Sequence, residues 1–133
     1  MHLGIKEAYR IKEIDGFLRN FEVEIVSVIP GEAIISVPLK ENVIRVGDFM
    51  NGGAIMAFSD FVGALSVLSM NGVVNSFTIS LDANFLEPIH NGPARFVAKN
   101  EKTGSNLAFV SIKVFDSKNR LCAKVNGIWR LVR

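Results

Sequence analysis

The sequence has little of the chemistry that cross-links chains or binds metals. It contains one cysteine, Cys122, in 133 residues, which excludes an intrachain disulfide and a cysteine-rich zinc site. Its only histidines, His2 and His90, lack the spacing of metal ligands. We therefore expect a chain that uses neither a metal nor a redox cofactor.

The sequence also lacks a hydrophobic run suited to a membrane. The longest apolar stretch, residues 54–70, is interrupted by Ser59, Asp60 and Ser66. A membrane span needs about 20 apolar residues and tolerates a central aspartate poorly. The N-terminal segment does not combine basic residues with an apolar core and a cleavage site, as a signal peptide does. These absences predict a cytoplasmic protein that does not enter the membrane.

Charge is unevenly distributed along the chain, although the net charge is only +2. Residues 95–133 contain nine lysines and arginines against Glu101 and Asp116, a charge of +7, so the remainder carries −5. One interpretation is that these residues form the solvated faces of strands. The other is a partner with phosphates, either a nucleotide-bearing ligand or nucleic acid. No nucleic-acid motif accompanies the charge, which favours a small phosphorylated ligand.

The apolar pattern predicts one α+β domain, because 133 residues suffice for one core but not for two. Apolar residues at steps of three and four predict an N-terminal helix over residues 4–21. Two β-branched stretches, residues 22–29 and 33–39, flank Pro30-Gly31 and predict a hairpin. Residues 40–50 are mixed in composition and predict a loop.

The long apolar stretch predicts a helix at residues 54–70, about 25 Å long. It is apolar nearly all the way round, so we expect it to be buried on most sides. Turn signals separate four strands that follow it, at residues 76–85, 94–102, 106–115 and 121–132. A helix buried in so small a protein requires a sheet that wraps around it, which predicts a curved antiparallel sheet.

Asp60 is the chemically unusual residue of the long helix, which has no other ionisable group. No lysine or arginine lies between Arg45 and Arg95, so the neighbouring sequence offers no counter-ion. An unpaired buried carboxylate is costly and must find hydrogen-bond donors or water. One interpretation is a carboxylate bonded to nearby backbone or facing solvent. We favour a functional carboxylate, because perturbed acids cluster at active sites.

Asn51-Gly52-Gly53 precedes this helix and forms a second candidate element. Asn51 can cap the helix, and the glycines let a ligand approach free N–H groups at the positive end of the helix dipole. Such donors suit a developing oxyanion, and the same tripeptide is also an ordinary helix start. Gly53 and Asp60 lie about 10 Å apart along one helix. A dimer in which Asp60 comes from the second subunit would bring them together.

The run from Asn51 to Asp60 resembles the helix-start motif of PaaI-type hot-dog thioesterases, which has His-Gly-Gly followed at this spacing by Asp. Residues 73–88 resemble the strand ending in proline that follows the helix in that family. Lys102-Thr103-Gly104 and residues 107–110 resemble the hairpin and strand beyond it. The resemblance covers about two-thirds of the chain, from Arg45 to the C terminus. It implies the hot-dog fold, a curved sheet around one long helix, and hydrolysis of acyl-CoA thioesters.

The resemblance also implies particular roles. Members form homodimers, often paired into homotetramers, with active sites across the subunit interface. The N–H of Gly53 would polarise the thioester carbonyl, and Asp60 of the other subunit would act as general base or as nucleophile. A hydroxyl at Thr78 would help to hold the water. The CoA nucleotide would bind near the basic region from Lys99 to Lys102 and the turn formed by Thr103, Gly104 and Ser105.

Two positions depart from the family pattern. The usual histidine is Asn51, which can hydrogen-bond but cannot shuttle a proton at neutral pH. The asparagine that commonly stands six residues earlier is Arg45, unless Asn42 takes its place through a shifted loop. Neither change removes the glycine amide or the carboxylate, but both bear on substrate range and rate.

The leading hypothesis is therefore an acyl-CoA thioesterase. Phe, Met and Leu near Asp60 favour an aromatic or medium-length acyl group. The alternative is a non-catalytic hot-dog domain that binds acyl-CoA or a similar ligand, with Asn51 marking lost or altered chemistry. A nucleic-acid-binding module is a third interpretation, and it rests on the C-terminal charge alone.

Overall fold

The computed structural model describes residues 3–133, so His2 lies outside the described residues. Two α-helices and eight strands are joined by short loops and by single 3₁₀ turns at Leu18–Asn20 and Glu41–Val43. In chain order the elements are α1 (Ile5–Ile14), β1 (Glu24–Ile29), β2 (Glu32–Val37), β3 (Ile44–Arg45), β4 (Phe49–Met50), α2 (Gly52–Leu68), β5 (Asn75–Phe85), β6 (Ala94–Thr103), β7 (Leu107–Phe115) and β8 (Leu121–Val132).

Six strands form one antiparallel sheet in the order β1-β2-β6-β7-β8-β5. Helix α2 contacts all six of them, which requires the sheet to curve around the helix. The alternation of buried and exposed residues is clearest in β7, where Ala108, Val110, Ile112 and Val114 face the helix side. This confirms the predicted curved sheet, the four C-terminal strands and the hairpin of β1 and β2.

Helix α2 begins at Gly52 because Asn51 caps it: the Asn51 side chain accepts hydrogen bonds from two N–H groups of the first turn. The helix ends at Leu68, where the hydroxyl of Ser69 donates to Ile29 O and accepts from Gly31 N, both at 2.9 Å. The observed helix therefore lies two residues before the predicted residues 54–70.

The sheet does not bury α2 on every side. A stripe of half-buried or exposed residues runs along the helix, formed by Gly53, Ala57, Asp60 and Ala64. Three of the four are small, and Asp60 is the charged member. The prediction that this helix is buried on most sides is therefore confirmed, and the open stripe carries the candidate carboxylate.

On its buried side, α2 packs directly against the indole of Trp129 in β8. A Cβ placed on Gly63 would lie 2.3 Å from Cη2 of that ring, far inside van der Waals contact. Glycine at this position lets the helix and the sheet approach each other closely. The interlocking fixes the height of α2 over β5 and β8.

The N-terminal region differs from its prediction. Helix α1 ends at Ile14 rather than near residue 21, because the carboxylate of Asp15 accepts from the N–H groups of Phe17 and Leu18 and starts a 3₁₀ turn. Residues 40–50, predicted as a loop, contain the small hairpin of β3 and β4.

Candidate active site

Asp60 lies on the open stripe of α2, opposite the edge strand β5. The hydroxyl of Thr78 in β5 donates a hydrogen bond of 2.5 Å to Asp60 Oδ1. Thr78 is held there by its position across from Trp129 in the β5–β8 pairing. Within residues 3–133, Asp60 makes no ion pair, as its isolation from basic residues in the sequence indicates.

A cavity of 320 Å³ opens beside this carboxylate. Its wall combines small side chains of α2, namely Ala57 and Ala64, with Thr78 and Trp129 of the sheet. Asp15 also lines it, but its Oδ1 already caps the 3₁₀ turn after α1. Each of the two carboxylates thus uses its Oδ1 in hydrogen bonds, and Asp60 is the one that lies on the open stripe of α2.

At the start of α2, the N–H of Gly53 is not free to bind a thioester oxygen in the way that the resemblance implied. The N–H of Gly53 donates to Asn51 Oδ1 at 2.7 Å, and the N–H of Ala54 donates to the same oxygen at 3.2 Å. In the described part of the chain, the N–H of Gly52 has no acceptor. The unoccupied donor at the helix start is thus Gly52, and Gly53 is occupied by the cap.

The sequence did contain the signal for this assignment. A capping asparagine bonds the second and third residues of a helix, which leaves the first N–H free. With Asn51 as the cap, the first residue is Gly52. The amide of Asn51 is correspondingly fixed as a hydrogen-bond acceptor, a structural role that the family histidine need not have.

Gly52 lines a second cavity, of 480 Å³. The aromatic ring of Phe85, at the end of β5, lies against Gly52, at 3.6 Å from a Cβ placed there. Most of the wall is apolar, and its polar side chains are Arg45 and Glu87. Its apolar lining residues are Phe49, Met50, Ile55, Phe85, Leu86, Pro88 and Ile89.

The two cavities belong to different stretches of α2. Gly52 and Asp60 are eight residues apart, which corresponds to about 12 Å along the helix axis. One chain therefore holds an unpaired N–H in one cavity and a free carboxylate in another, and does not join them at one reacting atom.

The hairpin turn predicted to hold a nucleotide lies at the other end of α2. Thr103 Oγ1 accepts from Asn100 Nδ2 at 2.5 Å and lies 3.5 Å from the sulfur of Met70, just beyond the C terminus of the helix. Arg133 Nε donates to Ser105 O at 3.4 Å, and Lys102 and Gly104 are exposed. The turn is therefore about 25 Å from Gly52 within one chain.

The edge strand β5 is unusually apolar for an exposed element. It pairs with β8 on one side, and its other edge is free in the single chain. Phe77 and Ile79 are each 56% exposed, and Phe85 is 55% exposed. A long edge strand with exposed apolar side chains invites pairing with another strand.

Two groups with shifted pKa values lie away from these cavities. Hydrogen bonds from the backbone N–H groups of Arg120 and Lys118, with the Arg120 side chain, hold the pKa of Asp116 below its ordinary value despite its burial. Burial raises the pKa of the Cys122 thiol. Neither group lines the cavity beside Gly52 or the cavity beside Asp60.

The described residues contain no cluster of three or more His, Cys, Asp or Glu side chains that could hold a metal ion. No helix within residues 3–133 is long and apolar enough to cross a membrane.

Known proteins share both the sequence pattern and the architecture. The sequence model of one protein family, described as "Thioesterase superfamily", matches residues 47–123 of this chain. The matched stretch runs from just before α2 to the start of β8. A presumptive esterase of Thermoplasma acidophilum is 43% identical over 124 residues, covering 93% of this chain and 94% of its own.

Solved structures extend the likeness to the fold. The E. coli PaaI protein from the phenylacetic acid degradation operon superposes with a TM-score of 0.86 at 16% identity, over 96% of this chain and 92% of that one. A Streptococcus mutans protein bound to acetyl CoA superposes with a TM-score of 0.80 at 19% identity, over 90% and 94%.

A curved antiparallel sheet around one long helix, with these neighbours, defines a hot-dog fold. The family match over more than half of the chain then shows that the chain belongs to the thioesterase superfamily, and it is a thioester hydrolase.

Proposed function

We propose that this chain hydrolyses acyl-CoA thioesters at a site shared between two subunits. The observation that carries the proposal is that the two groups needed for catalysis, a hydrogen-bond donor and a carboxylate, lie apart within one chain. An unpaired N–H at Gly52 and a free carboxylate at Asp60 face different cavities of one chain, about 12 Å apart along α2. A second copy related by a two-fold axis supplies each half with its complement.

The exposed edge of β5 supports such a dimer. Antiparallel pairing of β5 with its copy would continue the sheet and cover Phe77 and Ile79. It would also set the two α2 helices antiparallel, with their open stripes facing each other. The small residues Ala57 and Ala64 on those stripes permit a close approach. In this arrangement Gly52 of one subunit lies near Asp60 of the other. Two such dimers can pair into a tetramer without changing the site.

In the proposed reaction, the N–H of Gly52 donates to the thioester oxygen, where negative charge develops as the carbonyl carbon becomes tetrahedral. The positive end of the α2 dipole adds to this stabilisation. The Asp60 carboxylate of the other subunit removes a proton from the attacking water. The tetrahedral intermediate then collapses, breaks the C–S bond and releases the CoA thiol, to which Asp60 returns the proton.

Thr78 positions the base in this mechanism. Its hydroxyl donates to Asp60 Oδ1, which leaves Oδ2 to accept the proton of water. The side chain of an aspartate can rotate about two bonds, so a hydrogen-bond partner is needed to hold its carboxylate in place. A misplaced carboxylate loses the geometry that proton transfer requires.

The ligand assignment rests on the cavities and on charge. The largely apolar wall near Gly52 suits an aromatic or medium-length acyl group. In a dimer with antiparallel α2 helices, the basic turn at residues 102–105 lies about 15 Å from Asp60 along the same helix, a distance that an extended pantetheine arm can cover. The Streptococcus mutans protein of the same fold binds acetyl CoA, which supports a CoA ester as the ligand.

The test follows thiol release over a panel of acyl-CoAs for the wild type and for Asp60→Asn. The buried Cys122 should contribute little signal in the folded protein. We expect turnover by the wild type and loss of turnover in the variant with binding retained. Saturable CoA-ester binding without turnover by the wild type would instead support the alternative, a non-catalytic domain that binds acyl-CoA.

A further inference from the structure

Arg45 is a basic side chain held at the wall of the cavity that contains Gly52. It stands opposite Phe49 in the β3–β4 pairing, and its Cζ lies 4.6 Å from the centroid of that ring. Its Nε donates to Val46 O at 2.9 Å. Stacking and this hydrogen bond fix the guanidinium plane, and neither one uses the two terminal nitrogens.

The hairpin that carries Arg45 is bonded to the start of α2. Asn51 N donates to Val43 O at 2.8 Å, and Met50 N donates to Ile89 O at 3.1 Å. Arg45 is therefore fixed to the same framework as the free N–H of Gly52. A group bound at Arg45 would hold a defined position relative to that donor.

Arg45 is exposed, and within the described residues no acceptor is bonded to its two terminal nitrogens. Within residues 3–133 it makes no ion pair. Glu87 is the acidic residue of the cavity wall; its carboxylate lies 3.9 Å from the guanidinium of Arg120, which also pairs with Asp116 at 2.9 Å. The remaining wall is apolar apart from Gly52. An exposed guanidinium that is held by stacking and has both terminal nitrogens free can bind an anionic oxygen group at this otherwise largely apolar wall.

We propose that Arg45 recognises an anionic oxygen group of the substrate, either a carboxylate at the far end of the acyl chain or a phosphate of CoA. The proposal rests on the proposed function, and it adds a specificity residue to that site. Arg45 binds the anion through its terminal nitrogens while the thioester oxygen lies at Gly52. An acyl-CoA thioesterase with this residue distinguishes substrates by charge as well as by chain length.

Three probes of equal acyl length separate the two sources. They are octanoyl-CoA, the mono-CoA ester of octanedioic acid, and octanoyl-pantetheine, which lacks the phosphates. KM and kcat are measured for the wild type, Arg45→Gln and Arg45→Lys. Arg10→Gln, which removes an exposed arginine of α1, is the matched control for lost charge. Circular dichroism establishes that each variant is folded.

We expect Arg45→Gln to raise KM about tenfold for probes that carry the recognised anion, with kcat nearly unchanged. An effect confined to the diacid ester identifies the acyl carboxylate. An effect on both CoA esters that is absent from octanoyl-pantetheine identifies a phosphate. Arg45→Lys should recover part of the lost affinity, because lysine keeps the positive charge but lacks the paired N–H donors of the guanidinium.

An equal effect on all three probes would assign Arg45 a structural role in the hairpin and would overturn the proposal, as would no effect on any probe. Failure of the proposed function looks different, since the wild type would then hydrolyse none of them.

Discussion

Complementation between two inactive variants tests the shared site most directly. Gly52→Pro removes the unpaired N–H, and proline is well tolerated at the first position of a helix. The preceding residue, Asn51, has φ −61° and ψ 134°, a conformation that a following proline favours. Loss of one oxyanion donor lowers kcat by about 10²–10³-fold. Asp60→Asn removes the base, and we expect a loss of about 10²–10⁴-fold.

The two variants are co-expressed at equal levels. Random pairing makes about half of the dimers mixed, and each mixed dimer contains one site with an intact Gly52 and an intact Asp60. The expected specific activity is therefore about a quarter of the wild type, far above either variant alone. Thiol release gives the activity, and native mass spectrometry gives the fraction of mixed dimers.

Gly52→Ala is the matched control, because it keeps the N–H and places a Cβ at an ordinary 3.6 Å from the Phe85 ring. It should retain most of its activity. If mixed dimers form and activity stays at the level of the separate variants, both groups act within one chain, and the shared site is refuted.

Three further changes test other parts of the structure. Thr78→Val removes the hydroxyl that bonds Asp60 but keeps the shape of the side chain, and it should lower kcat about tenfold while the fold is retained. Gly63→Ala forces a methyl against Trp129 and should cost about 1–3 kcal/mol of unfolding free energy in urea titrations. For Asp116 the folded pKa lies below its ordinary value of 3.8, so the stabilisation is complete above about pH 4 and is lost as pH falls through the folded pKa. Wild type should therefore be more stable than Asp116→Asn at neutral pH, and the difference should shrink on acidification.

A different result would contradict each of these three predictions. Thr78→Ser keeps the hydroxyl, so its kcat should return toward the wild-type value. If Thr78→Ser is as slow as Thr78→Val, the lost hydroxyl is not the cause of the lower kcat. Gly16→Ala adds a methyl with no atom within 4 Å and should leave stability nearly unchanged, so equal losses at Gly16 and Gly63 would exclude the clash. A stability difference at Asp116 that stays constant down to pH 2 would exclude the ionised carboxylate as its origin.

Most of the fold could be predicted because its main determinants are local. Alternation of apolar residues set the strands, and turn residues separated them, so β6, β7 and β8 begin and end within one residue of their predicted bounds. The end of α1 could not be predicted in this way. It depends on Asp15 bonding backbone N–H groups of the following turn, and an aspartate at that point is equally compatible with a longer helix.

Part of the candidate site could also be predicted, because some of its features are local in the sequence. A lone carboxylate in an apolar helix is visible in the sequence, and so is a glycine pair at the start of that helix. Their cavities are not visible, because each wall combines residues from distant parts of the chain. The contact between Asp60 and Thr78 likewise depends on how β5 lies across α2, which the packing of Trp129 on Gly63 determines.

The choice between Gly52 and Gly53 shows how a substitution can redirect a site without removing it. Asn51 uses its carbonyl oxygen to bind the second and third N–H groups of α2, so the cap and an oxyanion would compete for Gly53. The first N–H cannot be reached by this cap and stays open to the cavity. Replacing Asn51 with Ala would release Gly53 and weaken the helix start by about 1 kcal/mol, yet should leave the donor at Gly52 in place. We therefore expect Asn51→Ala to lower stability more than kcat, whereas Gly52→Pro should do the reverse.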